Sequence, residues 1–112
     1  MTKVRICAVG EMEPGTARRF DVDGARICVV RLESDDPGDG WYALGDRCSH
    51  ADYSLAEGYV WADERGIECP KHGSTFSLET GWPQTLPATQ PVPVYVVTVE
   101  GDDVMVALES DA

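Results

Sequence analysis

The chain has 112 residues, 43% of them hydrophobic and 26% charged, the balance of one folded domain with no room for a second large catalytic unit. Nine Lys and Arg stand against twenty Asp and Glu, a formal charge of −11, and a body this acidic repels phosphate backbones and anionic headgroups. Nucleic acid and membrane surfaces are therefore not expected as partners. Residues 1–6 carry no long apolar leader core, and no stretch reaches the apolar length of a membrane span. The cytoplasm is the expected compartment, so Cys7, Cys28, Cys48 and Cys69 are expected to bind metal or lie buried rather than pair. A domain of this size buries a limited share of its surface, and a metal tying loops together would help it fold.

Short extended segments separated by turn signals fill the sequence, with no long helical period. Residues 4–9 read as a first strand, followed by a loop through Glu13-Pro14-Gly15. Residues 17–22 and 25–32 flank Asp23-Gly24, a two-residue hairpin signal. Residues 33–40 are an acidic, solvated turn, and 41–44 resume extended structure. A short helix is expected near 54–57. Residues 59–62 and 66–69 read as another hairpin, and 75–78 as a further strand. A proline-studded connection (Pro83, Pro87, Pro91, Pro93) leads to a last hairpin of residues 94–99 and 104–108 around Gly101-Asp102. The expectation is an all-β fold, a small antiparallel sandwich or barrel of one domain over residues 1–112, with metal-bearing loops.

The two histidines of the chain each sit beside a cysteine, in Cys48-Ser49-His50 and in Cys69-Pro70-Lys71-His72-Gly73. Spacings of one and two residues let both side chains of a loop turn toward a common point. Brought together by the intervening hairpin, the two loops present four N/S ligands, with Gly73 relaxing the second loop. A structural zinc site is one answer. Zinc-finger spacing usually groups like ligands, however, whereas each loop here supplies one thiolate and one imidazole. That set suits a two-iron cluster with both thiolates on one iron and both imidazoles on the other.

In these residues the chain resembles the Rieske [2Fe–2S] family, through Cys48-Ser49-His50-Ala51-Asp52 and Cys69-Pro70-Lys71-His72-Gly73-Ser74-Thr75-Phe76. Gly81-Trp82-Pro83 followed by Leu86-Pro87-Ala88 resembles the family's proline-containing third loop. The resemblance implies one [2Fe–2S] cluster, with Cys48 and Cys69 on an inner iron and His50 and His72 on an outer iron near the surface. The cluster-binding loops would be residues 46–55 and 69–76, with the proline loop at 81–88, and Gly73, Ser74, Phe76 and Pro83 would lie against the ligands. With two neutral imidazoles the oxidised cluster is formally neutral, so it accepts an electron more readily than an all-thiolate cluster, at roughly −150 to +300 mV. The respiratory branch of the family joins its loops by a disulfide and has a tyrosine hydroxyl on a ligand sulfur. Tyr53, Lys71 and Phe76 stand at those positions here. Fewer hydrogen-bond donors favour the low end of the range.

The resemblance implies an electron carrier rather than an enzyme, a soluble ferredoxin taking electrons from a flavin-dependent reductase and passing them to a ring-hydroxylating non-haem iron oxygenase. A small accessory subunit of a larger reductase, a donor in iron–sulfur assembly and a structural zinc module are the alternatives. Cys7 and Cys28 read as buried thiols, and Trp41, Trp61 and Trp82 as packing residues, with Trp82 set apart by its place in the third loop. Arg47 and Lys71 flank the ligands as steering or merely solvated charges. No phosphate loop, Ser-His-Asp set or catalytic carboxylate pair is assembled from the sequence.

Overall fold

In the computed structural model, residues 3–22, 24–35, 40–47, 54–70, 73–85 and 90–107 are described. Ten strands run through them: β1 (Lys3–Ala8), β2 (Thr16–Val22), β3 (Ala25–Arg31), β4 (Trp41–Gly45), β5 (Val60–Trp61), β6 (Gly66–Glu68), β7 (Thr75–Ser77), β8 (Val94–Tyr95), β9 (Val97–Glu100) and β10 (Asp103–Ala107). Single 3-10 turns occupy Val9–Glu11 and Leu55–Glu57, and the described residues contain no α-helix. The strands form three sheets, β1-β10-β9, β2-β3-β4-β8 and β5-β6-β7. Every pairing within them is antiparallel.

The apolar run Ile27-Cys28-Val29-Val30 explains the layering, because a strand buried on both faces has no polar alternation. Ile27 and Val29 turn one way, to pack with Trp41, Ala43, Cys7, Met12, Val104 and Val106. Cys28 and Val30 turn the other way, into a second core with Leu44, Leu55, Ile67, Phe76 and Leu78. The four-stranded sheet is thus the middle layer. The sheet of the two chain ends covers one face, and the small β5-β6-β7 sheet with the Leu55 turn covers the other.

The Asp23-Gly24 hairpin forms with Val22 opposite Ala25 and Gly24 at φ 84°, the left-handed region a two-residue turn requires, while Asp23 itself lies outside the described residues. The acidic turn is closed at its foot by the Leu32 amide donating to the Gly40 carbonyl at 2.7 Å, with 36–39 outside the described residues. The short helix expected near 54–57 is the 3-10 turn. Residues 94–99, read as one strand, are two: β8 pairs with β4 and β9 with β10, and the chain changes sheets at the exposed Val96. A continuous apolar stretch cannot announce that change, because only its partners differ. The pairing of the first strand with the last, Lys3 opposite Ala107 through Ala8 opposite Asp103, leaves no mark on local sequence either.

Candidate metal centre

Of the four expected ligands, Cys69 is described; Cys48, His50 and His72 lie outside the described residues, as does Lys71. Among the described residues no three His, Cys, Asp or Glu side chains gather as a metal site. What the structure defines is the framework from which both loops spring.

The first loop leaves β4 through Asp46 and Arg47 and returns at Ser54. Arg47 and Ser54 form an isolated antiparallel bridge that pinches its feet together. Asp46 secures the pinch: its amide donates to the Arg26 carbonyl at 3.0 Å, and its carbonyl accepts the Leu55 amide at 2.6 Å. Its Oδ1 accepts the Ala56 amide at 3.0 Å. Asp46 is fully buried, with Arg26 Nη2 at 3.6 Å and Arg19 Nε at 4.0 Å from its Oδ2.

The second loop leaves β6 directly into Cys69, whose side chain is buried in one core with Leu55, Ile67 and Phe76. The Cys69 amide donates to the Ser74 carbonyl at 2.7 Å, and the Gly73 amide to the Cys69 carbonyl at 3.1 Å, closing a tight turn. Gly73 sits at φ 78°, where a side chain would be strained. Ser74 is fully buried beside it.

The third loop is stitched to the second. Pro83 bridges Phe76, the Gln84 amide donates to the Thr75 carbonyl at 2.5 Å, and the Ser77 amide to the Trp82 carbonyl at 2.8 Å. Thr85 Oγ1 accepts the Thr75 amide at 2.8 Å and donates to the Gly73 carbonyl at 3.5 Å. Residues 86–89 lie outside the described set.

The far foot of the first loop and the near foot of the second touch. The Glu68 amide donates to the Tyr59 carbonyl at 2.8 Å, and Gly58 lies so close to the Glu68 carbonyl that a Cβ there would overlap its oxygen. Both loops therefore emerge side by side from the same end of the molecule. The remaining singled-out residues separate by burial. Cys7 and Cys28 are buried thiols outside any disulfide. Burial pushes both thiols above their ordinary range, Cys28 far above, with the Asp46 charge adding to its shift. Trp41 is core, whereas Trp82 at the root of the third loop is 58% exposed and Trp61 is 41% exposed. Arg47 is exposed. Asp46, Gly58 and Thr85 were not legible as site residues; an aspartate two positions before Cys48 is the one available hint.

A sequence model described as the Rieske [2Fe-2S] domain matches residues 2–96. The chain belongs to the Rieske [2Fe–2S] family. It is 39% identical, over 97% of its own length and 95% of the relative's, to the biphenyl 2,3-dioxygenase ferredoxin component of Rhodococcus jostii (strain RHA1). The ferredoxin of carbazole 1,9a-dioxygenase from Nocardioides aromaticivorans IC177 superposes with a TM-score of 0.89 at 39% identity, covering 97% of this chain and 100% of that one. A complex of reduced oxygenase and oxidized ferredoxin in carbazole 1,9a-dioxygenase contains a chain matching at a TM-score of 0.86 and 40% identity, covering 98% of this chain and 96% of that one. A Rieske domain holds one [2Fe–2S] cluster, and the described residues fit it. A buried thiol at Cys69, a tight glycine turn beyond it, a first loop pinched at its feet and a third loop stitched to the second converge at one end.

Proposed function

We propose that this Rieske protein is a one-electron carrier that takes electrons from a flavin-dependent reductase and delivers them to a ring-hydroxylating non-haem iron oxygenase, without transforming a substrate itself. The observation that carries the reading is the 39% identity, over nearly the whole of both chains, to a dioxygenase ferredoxin component. The solved oxygenase–ferredoxin complex of the carbazole system supports the oxygenase as acceptor. Cys48 and Cys69 hold the inner iron and His50 and His72 the outer one. The adjacency of the loop feet at Gly58 and Glu68, and the burial of Cys69, support this assignment. The cluster, when bound, supplies reversible one-electron storage.

The chain's own residues supply the rest. The apolar packing of Leu55, Ile67 and Phe76 around Cys69 keeps water from the inner end. The hydrogen-bonded feet limit rearrangement of the loops between oxidation states. The whole of residues 1–112 acts as one Rieske domain. No helix among the described residues is long and apolar enough to cross a membrane. The cytoplasm suits the role, since Cys7 and Cys28 are thiols outside any disulfide.

Electron paramagnetic resonance of the dithionite-reduced protein, with iron and sulfide analysis, tests the proposal. The expected result is near-equal iron and sulfide and the signal of a mixed nitrogen and sulfur ligand set, lost in His72→Ala. A colourless zinc protein, or a His72→Ala variant with an unaltered signal, overturns it.

A further inference from the structure

We infer that buried Asp46, with the half-exposed Arg26 and Arg19, forms a charge set that tunes the potential at which the protein takes up its electron, in addition to fastening the first loop. The inference rests on the ligand assignment above, which places Cys48 two residues beyond Asp46, within about 7 Å of chain even when fully extended.

Fastening the loop requires a single acceptor oxygen. Oδ1 provides it by accepting the Ala56 amide at 3.0 Å, and an asparagine would serve equally well. Asp46 keeps a second oxygen, Oδ2, that is buried without a hydrogen-bond partner among the described residues. A buried polar atom left in that state is costly unless something offsets it. The offset comes from the guanidinium groups of Arg26 at 3.6 Å and Arg19 at 4.0 Å, which meet the carboxylate as charges rather than as hydrogen-bond donors. Arg19 is shared with Asp21 through two bonds of 3.1 and 3.2 Å, so Arg26 is the less committed partner. Both arginine side chains are about two-fifths exposed, 43% for Arg19 and 40% for Arg26, and Asp46 is not exposed at all. Solvent therefore screens the cations more than the anion, and the carboxylate's charge is only partly offset at the root of the ligand loop. Its reach shows at Cys28, whose thiol Asp46 helps to push upward.

A fixed negative charge beside a centre that becomes more negative on reduction disfavours the reduced state. Asp46→Asn, which keeps the Oδ1 acceptor and removes the charge, should raise the reduction potential. Arg26→Gln, which leaves the Asp46–Ala56 bond in place and removes a cation, should lower it. The double variant should return toward the wild-type value. A purely structural role would change thermal stability or iron retention but would not produce shifts of opposite sign that cancel.

Protein-film voltammetry on wild type, Asp46→Asn, Arg26→Gln and the double variant, at one pH and ionic strength, reads this out, with the reduced-state resonance signal recorded for each. A wild type lacking the mixed-ligand signal defeats the ligand assignment. A wild-type signal with an unshifted or lowered potential in Asp46→Asn defeats the charge set alone. If Asp46→Asn does not assemble, Arg26→Gln decides: a fall supports the inference, and an unchanged or raised potential overturns it.

Discussion

Gly58→Ala probes the joint on which the site depends. Gly58 has φ −83° and ψ 179°, an extended conformation open to any residue, so the demand for glycine comes from close approach and not from the backbone angle. An added Cβ overlaps the Glu68 carbonyl oxygen and lies 2.8 Å from its carbon, against a normal carbon–carbon separation of about 3.5–4.0 Å. The Leu55 carbonyl oxygen waits 3.2 Å away on the other side. Relief therefore requires the Leu55–Gly58 segment and the Glu68–Cys69 peptide to part by about 1 Å or more. Neither side yields easily: Glu68 is paired with Thr75 and donates to Tyr59, and Leu55 is bonded to Asp46. Overpacking against backbone should cost about 3 kcal/mol. For a domain of this size that lowers the melting midpoint by roughly 10–15 °C. Iron should be lost along with it, because the two loops proposed to hold the ligands spring from the two parted segments. Gly10→Ala is the matched control, since nothing lies within 4 Å of its added Cβ and its backbone is not left-handed. Calorimetry with iron analysis on both variants reads the difference. A Gly58→Ala protein melting within a few degrees of Gly10→Ala, with full iron, would refute the reasoning.

Leu55→Ala empties a fully buried position next to Cys69 and should destabilise by about 2–5 kcal/mol in urea unfolding. A loss under about 1 kcal/mol would show that the turn does not pack as described. Phe76→Tyr places a hydroxyl in the buried group that contains Cys69 and should raise the reduction potential, as a donor to a ligand sulfur does. Voltammetry showing no change or a fall rejects it. Because burial raises the Cys28 thiol, the folded protein keeps that proton where the unfolded chain loses it, near pH 8.5. Its stabilising contribution is complete below that pH and declines above it, at a rate approaching about 1.4 kcal/mol per pH unit. Cys28→Ala should flatten the alkaline fall in urea stability between pH 8.5 and 10, and equal slopes in both proteins would contradict the assignment.

Chemistry that is local in sequence was legible, and chemistry created by long-range contact was not. The two Cys/His boxes can be proposed from sequence because ligand spacing within a loop is a local property. The Asp23-Gly24 turn and the strand at 25–32 could be read for the same reason. Gly58 and Glu68 are separated by the whole β5-β6 hairpin, and nothing near either residue reports their contact. Asp46 reads as one more surface acid in a chain rich in them until the Arg26 carbonyl and the Leu55 and Ala56 amides are seen to close on it. The sheet change at Val96 escapes a sequence reading because β-branched residues suit either sheet. Thr85 escapes because its hydroxyl serves Thr75 and Gly73 from another loop.

The charge of −11 reads in the sequence as a uniformly acidic body, and among the described residues the fold gathers part of it at one end. Exposed Glu33, Asp35, Asp63, Glu64 and Glu79 gather where residues 33–35, the turn before β6 and the turn after β7 meet, with Arg65 bonded to Glu79 at 3.0 Å. β4 leads away from that end to Asp46, so the ligand loops emerge at the other, among Arg19, Arg26 and the exposed Arg47 as well as Asp21 and Glu57. Gly40 and Asp46 are separated by extended chain of roughly 20 Å at about 3.3 Å per residue. That is about two Debye lengths at 0.1 M ionic strength. Among the described residues, a redox partner at the ligand end therefore meets Arg19, Arg26 and Arg47 against Asp21, Asp46 and Glu57, with the acids of the far end largely screened. Oxidation of the reduced protein by ferricyanide, followed by stopped flow across ionic strengths, measures the charge the reagent senses. The expected value is far smaller in magnitude than the net charge of the chain. A salt dependence matching the full net charge would mean that the acids crowd the electron-transfer end after all.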